Sequence, residues 1–487
     1  MPNAAARPSN WLPQALGIVL SVTAYRVLML AFDRTDLFVD EAQYWLWGQD
    51  LAFGYYSKPP LIGWVIRAST ELGGSDALFW VRLPAPLLHI FTALILGWVA
   101  AERFGREAAL WVTALYITLP MVTVGSYMIS TDTVMFPLLA LALGFWLKSL
   151  DRGGSAGLCF AAGLCAGLGF LAKYAAIYGL IGAGLAALAM WQGRPGWRPA
   201  LVGLLGFAIA ISPNVLWNLA NGLTTLQHTL DNADWVRDPS ARAGFNLAGI
   251  AEFFFGQFAV FGPVLFGALL WLGLRGGDGS DARRLLLWFS LPIVAIVCVQ
   301  ALLSEAYANW GVLAYQAGLL IVVPWLLTKP RAWLWGTLAL HGAFAALIPF
   351  AVVFGTEWRA GPASPLLLER YLGRSAMSAD ILALAEENGG VVVADDRDIL
   401  ADLFYTGRDA AVTIWAVPSP GRPPHHYAQT RALPPSDGRI LLVTRRDAPP
   451  PGCRARAEPL GDLAPESGAY RRRAQSTWIV DAPCLQP

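Results

Sequence analysis

Apolar stretches of the length that a membrane-spanning helix needs, about 20 residues, recur along the chain as far as residue 355. We place spans at residues 12–32, 84–101, 108–126, 133–147, 156–172, 174–191, 199–217, 251–274, 285–303, 310–327 and 332–354. The fourth span is short, and the fifth and sixth are closely joined, so these three have the weakest boundaries. The pattern predicts an all-α polytopic membrane bundle of about 11 spans over residues 1–355.

The composition changes after residue 355, where Arg and Asp become frequent, proline clusters appear and no further span is predicted. We therefore expect a C-terminal soluble α/β domain over residues 356–487. Helical patterns at 378–388, from a cap region at Ser378, and at 396–406 alternate with β-rich runs at 391–394, 410–417 and 439–444. The proline-rich stretch 418–424 is predicted to be a loop.

Lysine and arginine in the short loops predict the orientation of the bundle, because such loops stay in the cytoplasm. With the N-terminus inside, the inner loops carry Arg7, Arg103, Arg106, Lys148, Arg152, Arg194, Arg198, Arg275, Arg283, Arg284, Lys329 and Arg331. The longer outer loops carry Arg34, Lys58, Arg67, Arg82, Lys173, Arg237 and Arg242. This places the large first loop, 33–83, and the loop 218–250 outside. An odd number of spans places the C-terminal domain outside as well.

The composition agrees with a membrane protein, since 56% of the 487 residues are hydrophobic and only 14% are charged. Soluble domains carry about 25% charged residues. The 21 tryptophans suit a chain that crosses many membrane–water interfaces. A net charge of +1 gives no electrostatic reason to expect nucleic-acid binding.

The five cysteines predict neither a metal site nor a disulfide framework. Cys159, Cys165 and Cys298 lie in apolar runs, while Cys453 and Cys484 lie in the polar part, too far apart in sequence to argue a bridge. There is no CxxC motif and no Cys/His cluster. The sequence therefore predicts no definite cofactor, and a divalent metal stays an open alternative.

The most unusual segment of the chain is DEAQYWLWGQDLAFGYYSKPPLIGW, residues 40–64, in the first outer loop. A helix over about 40–52 would place Asp40, Tyr44, Trp47 and Leu51 on one face. Its two acids would lie in the first turn, where the helix dipole favours them. Its aromatic residues are typical of a helix that lies in the membrane interface.

Lys58 follows the Tyr55-Tyr56 turn and precedes Pro59, which favours an extended backbone and a fixed point charge suited to a phosphate. Acids at a helix start are often only caps, and a loop lysine is usually solvated. The combination of an acidic helix start, the Tyr55-Tyr56 turn and the Lys58-Pro59-Pro60 segment at the mouth of a multi-span bundle favours a reactive site.

Further candidates lie on the same predicted side. Asp132, at the head of the fourth span, is either a helix N-cap or a member of a polar site shared with Asp40. Lys173, at the outer end of the fifth span, either snorkels to the interface or joins that site. Glu305 and Asn309-Trp310 form another outer turn, in which Trp310 alone would be an interface anchor.

Residues 40–64 resemble the first outer loop of bacterial members of the protein mannosyltransferase superfamily. These include the transferases that put aminoarabinose or galacturonic acid on lipid A or its core. Other stretches fit the same subgroup: STDT at 130–133, GFLAKY at 169–174, PNVLW at 213–217 with Asn221-Gly222, and ANW at 308–310. The resemblance covers most of residues 12–355 and is weaker at 396–407.

This resemblance implies the GT-C fold, a helical membrane bundle with a large first outer loop over a cavity. It implies that Asp40 is the general base for the acceptor hydroxyl, or orients that base, and that Glu41 and Asp132 are acids of the same site. Lys58 would lie near the carrier phosphate. We also assign Tyr55, Tyr56, Arg82 and Lys173 to donor binding, and Tyr44, His228, Glu305, Asn309 and Trp310 to the acceptor or cavity.

The implied activity is the transfer of a sugar from a polyprenyl-phosphate carrier to an envelope acceptor at the outer face of the bacterial cytoplasmic membrane. The acceptor is lipid A or its core, a glycolipid, a polysaccharide or a protein. Transfer expels a phosphate monoester, so a cation at the departing oxygen and a carboxylate base at the acceptor both help. Besides donor and acceptor, the expected partners are membrane lipids.

Two alternatives stay open from the sequence. A transporter or flippase would carry charged residues at mid-depth in its spans, and Arg26 is the main example found. A non-catalytic scaffold of the same fold would leave the outer acids and Lys58 without a common cavity.

Overall fold

The computed structural model describes residues 11–232, 245–362 and 364–486, so Arg7, Arg237 and Arg242 of the charge argument lie outside the described residues. The described helices are α1 (Leu12–Leu30), α2 (Val39–Gln49), α3 (Leu61–Gly73), α4 (Leu78–Arg82), α5 (Pro84–Phe104), α6 (Arg106–Thr118), α7 (Pro120–Gly125), α8 (Thr131–Asp151), α9 (Ala156–Ala172), α10 (Ile177–Ala189), α11 (Trp197–Ala220), α12 (Thr224–Asn232), α13 (Leu247–Val260), α14 (Pro263–Leu274), α15 (Asp281–Leu287), α16 (Leu291–Leu303), α17 (Ala314–Leu326), α18 (Ala332–Phe354), α19 (Arg374–Glu387), α20 (Arg397–Thr406) and α21 (His426–Thr430). The described strands are β1 (Val391–Ala394), β2 (Thr413–Ala416), β3 (Arg439–Thr444), β4 (Glu458–Leu463) and β5 (Gln475–Asp481).

The chain divides into two compact units. The membrane unit consists of the described parts of Met1–Ala31, Lys58–Ile62 and Arg82–Pro349. The loop unit consists of Phe32–Ser57, Gly63–Val81 and the described parts of Phe350–Pro487. Most of the first outer loop therefore packs in one unit with the C-terminal residues.

Among the described residues, six helical runs are long and apolar enough to cross a membrane: Leu12–Leu30, Leu78–Phe104, Thr131–Asp151, Trp197–Ala220, Asp281–Leu303 and Ala332–Phe354. The predicted span 251–274 is instead two helices, α13 and α14, bent by 115° at the Gly262-Pro263 step. Gly262 has φ 94°, which is outside the helical region, and Pro263 lacks an N–H. The mostly helical fold class is confirmed, and the count of 11 spans stays a prediction.

A proline also divides the predicted span 108–126, into α6 and α7. Carbonyl groups at the end of α6 need new partners, because apolar surroundings supply no water. The buried guanidinium of Arg26 donates to the Ile117 carbonyl at 2.7 Å and to Thr123 Oγ1 at 2.9 Å. Arg26 therefore has a structural role, since it joins α1 to this helix break. It is the intramembrane charge that was the main example in favour of a transporter.

Glycines set the close packing of α9 against α11 in the membrane unit. A Cβ atom on Gly163 would lie 1.8 Å from the Gly203 carbonyl oxygen, and one on Gly167 would lie 2.8 Å from that of Phe207. Small residues let membrane helices approach until their backbones touch. This packing fixes the end of α9, from which Lys173 extends.

The sheet of the loop unit has the strand order β2-β1-β3-β5-β4. β1 pairs in parallel with β2 and β3, and β5 pairs antiparallel with β3 and β4. The sequence-based bounds of β1 and β3 are confirmed. β4 was not predicted, because Glu458–Leu463 contains Pro459 and Gly461 and is largely exposed, so it lacks an alternating apolar pattern. β5 was not predicted either.

Helix α19 begins at Arg374 rather than at the predicted cap region around Ser378. Asp36, from the first outer loop, caps it: its carboxylate accepts from the Arg374 backbone N–H at 2.8 Å and from the Ser375 hydroxyl at 2.6 Å. A cap supplied by so distant a residue leaves no local sequence signal, which explains the wrong boundary.

A bridge between Cys453 and Cys484 was not predicted, because their distance in sequence gives no argument for one, but the structure contains it. They form a disulfide with their Cα atoms 5.0 Å apart, across a sequence separation of 31 residues. An apolar cluster that includes Leu442, Val480 and Leu485 brings the two cysteines together. Sequence distance alone therefore could not decide the pairing.

Candidate active site

Helix α2 carries the acid pair of the first outer loop. It ends at Gln49, so Leu51 lies beyond the helix rather than on the predicted face. Most of its residues are buried, Tyr44 and Trp47 among them, and it packs on α20. α2 is therefore a core element of the loop unit, and its predicted place in the membrane interface stays a prediction.

Asp40 is one of the few α2 residues that reach solvent. Its Oδ1 atom accepts from Nη2 of Arg397 at 2.5 Å, and Nε of Arg397 donates to Gln43 Oε1 at 2.9 Å. The Asp40 and Arg397 side chains keep 45% and 38% of their exposure. Burial lowers the pKa of Arg397, but the charge and hydrogen bond of Asp40 outweigh it, so the pKa is raised and the guanidinium stays charged.

Glu41, in contrast, is fully buried. Its Oε2 atom accepts from the Phe38 backbone N–H at 2.9 Å, which is the contact that an acid at the third helical position makes with the N-cap backbone. The two neighbouring acids thus face different surroundings: Asp40 faces solvent and a cation, and Glu41 faces the interior at the helix start.

The aromatic residues that follow α2 anchor the turn inside the loop unit. The Tyr55 ring stacks on Trp47 with centroids 4.8 Å apart, and its hydroxyl donates to the Trp47 carbonyl at 2.7 Å. Burial raises the pKa of Tyr55 to about 12, so it stays a neutral donor. The Tyr56 hydroxyl donates to the Pro423 carbonyl at 2.9 Å. Their assignment to donor binding stays a prediction.

In the membrane unit, Asp132 lies in the first turn of α8 but is not its N-cap. Ser130 is the cap, since its hydroxyl oxygen accepts from the Thr133 N–H. Both carboxylate oxygens of Asp132 lie 2.8 Å from Nζ of Lys173, and the two side chains keep only 10% and 18% of their exposure. Lys173 therefore forms an ion pair instead of snorkelling to the interface.

Asn309 contacts this ion pair, and a second set of polar contacts begins at Tyr174, the residue after Lys173. Asn309 Nδ2 donates to Asp132 at 3.4 Å, and the Tyr174 hydroxyl donates to Asn214 Oδ1 at 2.9 Å and accepts from Asn218 at 3.3 Å. We call these residues the polar cluster: Asp132, Lys173, Tyr174, Asn214, Asn218 and Asn309. The cluster brings together the four segments STDT, GFLAKY, PNVLW and ANW that carried the family resemblance outside the first loop.

The remaining candidates also belong to the membrane unit. Lys58 and His228 are half-buried, Arg82 is buried, Glu305 is exposed and Trp310 is half-buried. Asp40 belongs to the loop unit and Lys58 and Asp132 to the membrane unit, so a cavity common to all three stays a prediction. Within the described part of the chain, no group of three or more His, Cys, Asp or Glu side chains is placed to hold a metal ion.

Arg397 is the site residue that sequence reasoning missed. It belongs to Asp395-Asp396-Arg397-Asp398, a run of charged residues directly after the buried strand β1. Ligand-binding residues often follow the carboxyl ends of parallel strands, and this run was the available signal. Asp396 caps α20 by accepting from the Asp398 and Ile399 N–H groups, which holds Arg397 in the first turn.

Comparison with known proteins agrees with this architecture. Residues 57–217 match the dolichyl-phosphate-mannose-protein mannosyltransferase family, a segment that contains Lys58, Asp132 and Lys173. The chain is 41% identical to a lipid A galacturonosyltransferase, RgtD, of Rhizobium johnstonii, over 96% of this chain and 98% of that one. It is 29% identical to the undecaprenyl phosphate-alpha-4-amino-4-deoxy-L-arabinose arabinosyl transferase of Edwardsiella ictaluri, over 49% of this chain and 43% of that one.

Two solved structures share the fold. ArnT from Cupriavidus metallidurans in the apo state superposes with a TM-score of 0.63 and 14% identity, over 98% of this chain and 99% of that one. ArnT bound to undecaprenyl phosphate superposes with a TM-score of 0.61 and 15% identity, over 99% and 100% of the two chains. At this identity the likeness concerns the fold alone, which is of the GT-C type.

The fold and the site define a multi-pass membrane glycosyltransferase. The chain belongs to the GT-C glycosyltransferase superfamily, among the relatives of the bacterial protein mannosyltransferases and aminoarabinose transferases. The family, the fold class and the enzyme class predicted from the sequence are confirmed.

Proposed function

We propose that the chain transfers galacturonic acid from a polyprenyl-phosphate carrier to lipid A. The observation that carries this proposal is the 41% identity with the lipid A galacturonosyltransferase, which extends over nearly the full length of both chains. A relation of this extent includes both the membrane unit and the loop unit.

In the proposed reaction, the acceptor hydroxyl oxygen attacks the anomeric carbon of the sugar with inversion. The bond from that carbon to the carrier phosphate oxygen breaks, and the polyprenyl monophosphate leaves. Asp40 accepts the hydroxyl proton, and Lys58 neutralises the charge that develops on the phosphate. Glu41 and Asp132 are the further acids of the site, and Arg82, Lys173, Tyr55 and Tyr56 complete the donor side.

The remaining candidates, Tyr44, His228, Glu305, Asn309 and Trp310, are proposed to face the acceptor or to line the cavity. Of these, Asn309 is tied to the polar cluster by its contact with Asp132. A membrane scaffold suits this reaction because the lipid tail of the carrier stays in the bilayer while its head group reaches the cavity.

The site is proposed to face the periplasm. In this arrangement residues 1–355 form the transmembrane domain, with the outer loop 33–83, and residues 356–487 form a periplasmic α/β domain. The asymmetry of Lys and Arg between loops supports this orientation. The Cys453–Cys484 disulfide supports it independently, because structural disulfides persist in oxidising compartments such as the periplasm.

Mass spectrometry of lipid A from cells with and without the chain tests the activity. We expect a hexuronic acid on lipid A only in cells that carry the active protein. An added aminopentose instead would assign the chain to the aminoarabinose transferases. Lipid A that is identical in both strains would overturn the proposed acceptor.

Cysteine labelling tests the side of the membrane. In a background in which Cys159, Cys165 and Cys298 are alanine, Ser57→Cys should react with an impermeant maleimide in intact cells. Ser155→Cys, in a loop predicted to be cytoplasmic, should react only after the cells are opened. The reverse pattern would reverse the orientation.

A further inference from the structure

The carboxylate of Asp40 is held from one side. Oδ1 accepts from Nη2 of Arg397, whereas Oδ2 forms no hydrogen bond with a described residue of the loop unit. The same guanidinium holds Gln43 through Nε. Residues 40 and 43 lie on one face of α2, so a single planar side chain fixes both the carboxylate and the helix turn behind it.

The neighbouring titratable groups do not supply the positive charge that Arg397 brings to Asp40. Asp398, next to it on α20, is bound by Arg473 at 2.7 Å. On α21, burial lowers the pKa of His426 to about 3 and raises that of Tyr427, so both are neutral in the working pH range. Burial likewise lowers the pKa of His425. Glu41, on the same helix as Asp40, is engaged at the helix start.

The ion pair is also too exposed to be explained as a source of stability. Half-exposed pairs contribute little to folding, because water screens them and ordering two side chains costs entropy. Arg431 offers a direct comparison. It binds Asp50, just after the other end of α2, at 2.6 Å, and so it also ties α2 to the C-terminal residues.

We infer that Arg397 is a positioning residue for the transfer reaction, through which the C-terminal domain aims Oδ2 of Asp40 at the acceptor hydroxyl. This inference rests on the proposed role of Asp40 as the base. Arg397 holds Oδ1 and leaves Oδ2 to accept the proton. A displaced base loses rate without losing substrate binding, and an error of about 1 Å can cost about 100-fold.

The test is a double-mutant cycle on the purified full-length protein, with a polyprenyl-phosphate sugar donor and extracted lipid A. We expect Arg397→Gln to lower kcat about 10- to 100-fold with the donor KM changed less than about twofold. Arg397→Lys should recover part of kcat, because it restores the charge but not the second bond to Gln43. In an Asp40→Asn background, Arg397→Gln should cost nothing further.

Arg431→Gln is the matched control, since it breaks the other ion pair of α2 without touching Asp40, and it should keep kcat within about twofold. If Arg431→Gln lowered kcat as much as Arg397→Gln does, Arg397 would only connect α2 to the C-terminal residues, and the inference would be overturned. So would a strong Asp40→Asn defect beside an unimpaired Arg397→Gln, or losses that add in the double mutant. Near-wild-type turnover of Asp40→Asn would overturn the assigned base, and the role of Arg397 with it.

Discussion

Two carboxylates of this protein, Asp40 in the loop unit and Asp132 in the membrane unit, each bind one cation, but their surroundings differ. The Asp132–Lys173 pair keeps 10% and 18% of its side-chain exposure and lies in a cluster built from four chain segments. The Asp40–Arg397 pair keeps 45% and 38%. A nearly buried pair cannot lose one partner cheaply, whereas a half-exposed carboxylate can exchange a proton with a ligand. We therefore expect Asp40 to act mainly on rate and the Asp132 pair to act strongly on stability.

The largest expected effect concerns Asp40. Asp40→Asn keeps the size and the hydrogen-bond acceptor but removes the basicity, so transfer should fall by about 100- to 10,000-fold. Thermal unfolding and binding of the polyprenyl-phosphate donor should stay close to wild type, because the lost ion pair is half-exposed. The measurement is sugar transfer to extracted lipid A.

Asp50→Asn is the control for this substitution, since Asp50 also pairs with an arginine of the C-terminal residues and is exposed. It should retain full activity. If Asp40→Asn also retained full activity, the prediction that Asp40 acts on rate while Asp132 acts on stability would be wrong for Asp40.

The polar cluster predicts the largest effect on stability. Lys173→Met leaves the Asp132 carboxylate without its counter-charge, and Asp132→Asn leaves the Lys173 ammonium without its own. Each single substitution should cost up to about 3–5 kcal/mol of stability. The double substitution should be more stable than Lys173→Met alone. Thermal unfolding in detergent measures this difference.

The Lys148–Glu102 pair of the same unit serves as the comparison, because its side chains keep 29% and 47% of their exposure. Lys148→Met should cost at most about 1 kcal/mol. Equal losses for Lys148→Met and Lys173→Met would show that burial does not separate the two kinds of pair.

The sequence was informative where a property is local. Hydropathy located the helices of the membrane unit, and β-rich runs located β1 and β3. The family motifs also singled out Asp40, Asp132 and Lys173. Contacts between residues that are distant in sequence could not be predicted from local patterns. The Cys453–Cys484 disulfide, the Asp36 cap on α19 and the Asp40–Arg397 pair all join residues that only the fold brings together.

The two units also differ in their cysteines. In the described residues, Cys159, Cys165 and Cys298 of the membrane unit are free, and Cys453 and Cys484 of the loop unit form a disulfide. Closing a loop across a sequence separation of 31 residues contributes about 4 kcal/mol in the chain-entropy account. Replacing both bridged cysteines with serine should therefore destabilise the loop unit by about 2–4 kcal/mol.

Hydrogen exchange resolves this effect by region. Protection should fall across β3 and β5, while the amides of α8 and α9 keep theirs. A uniform loss of protection in both units would show that they unfold together and would remove this part of the comparison.

The smallest predicted effect tests how the first outer loop stabilises the C-terminal residues. Asp36 accepts from the Arg374 N–H and the Ser375 hydroxyl at the start of α19. Asp36→Ala removes this acceptor and should cost about 1 kcal/mol, with faster exchange of the amides in the first turn of α19. Asp36→Asn keeps an acceptor of the same reach and should retain most of the protection, because Asn caps helices about as well as Asp. The buried Arg374–Asp402 ion pair holds the same helix independently, so α19 should fray rather than unfold. Unchanged exchange in Asp36→Ala would mean that α19 needs no cap from the loop, and that the loop unit depends on its other internal contacts.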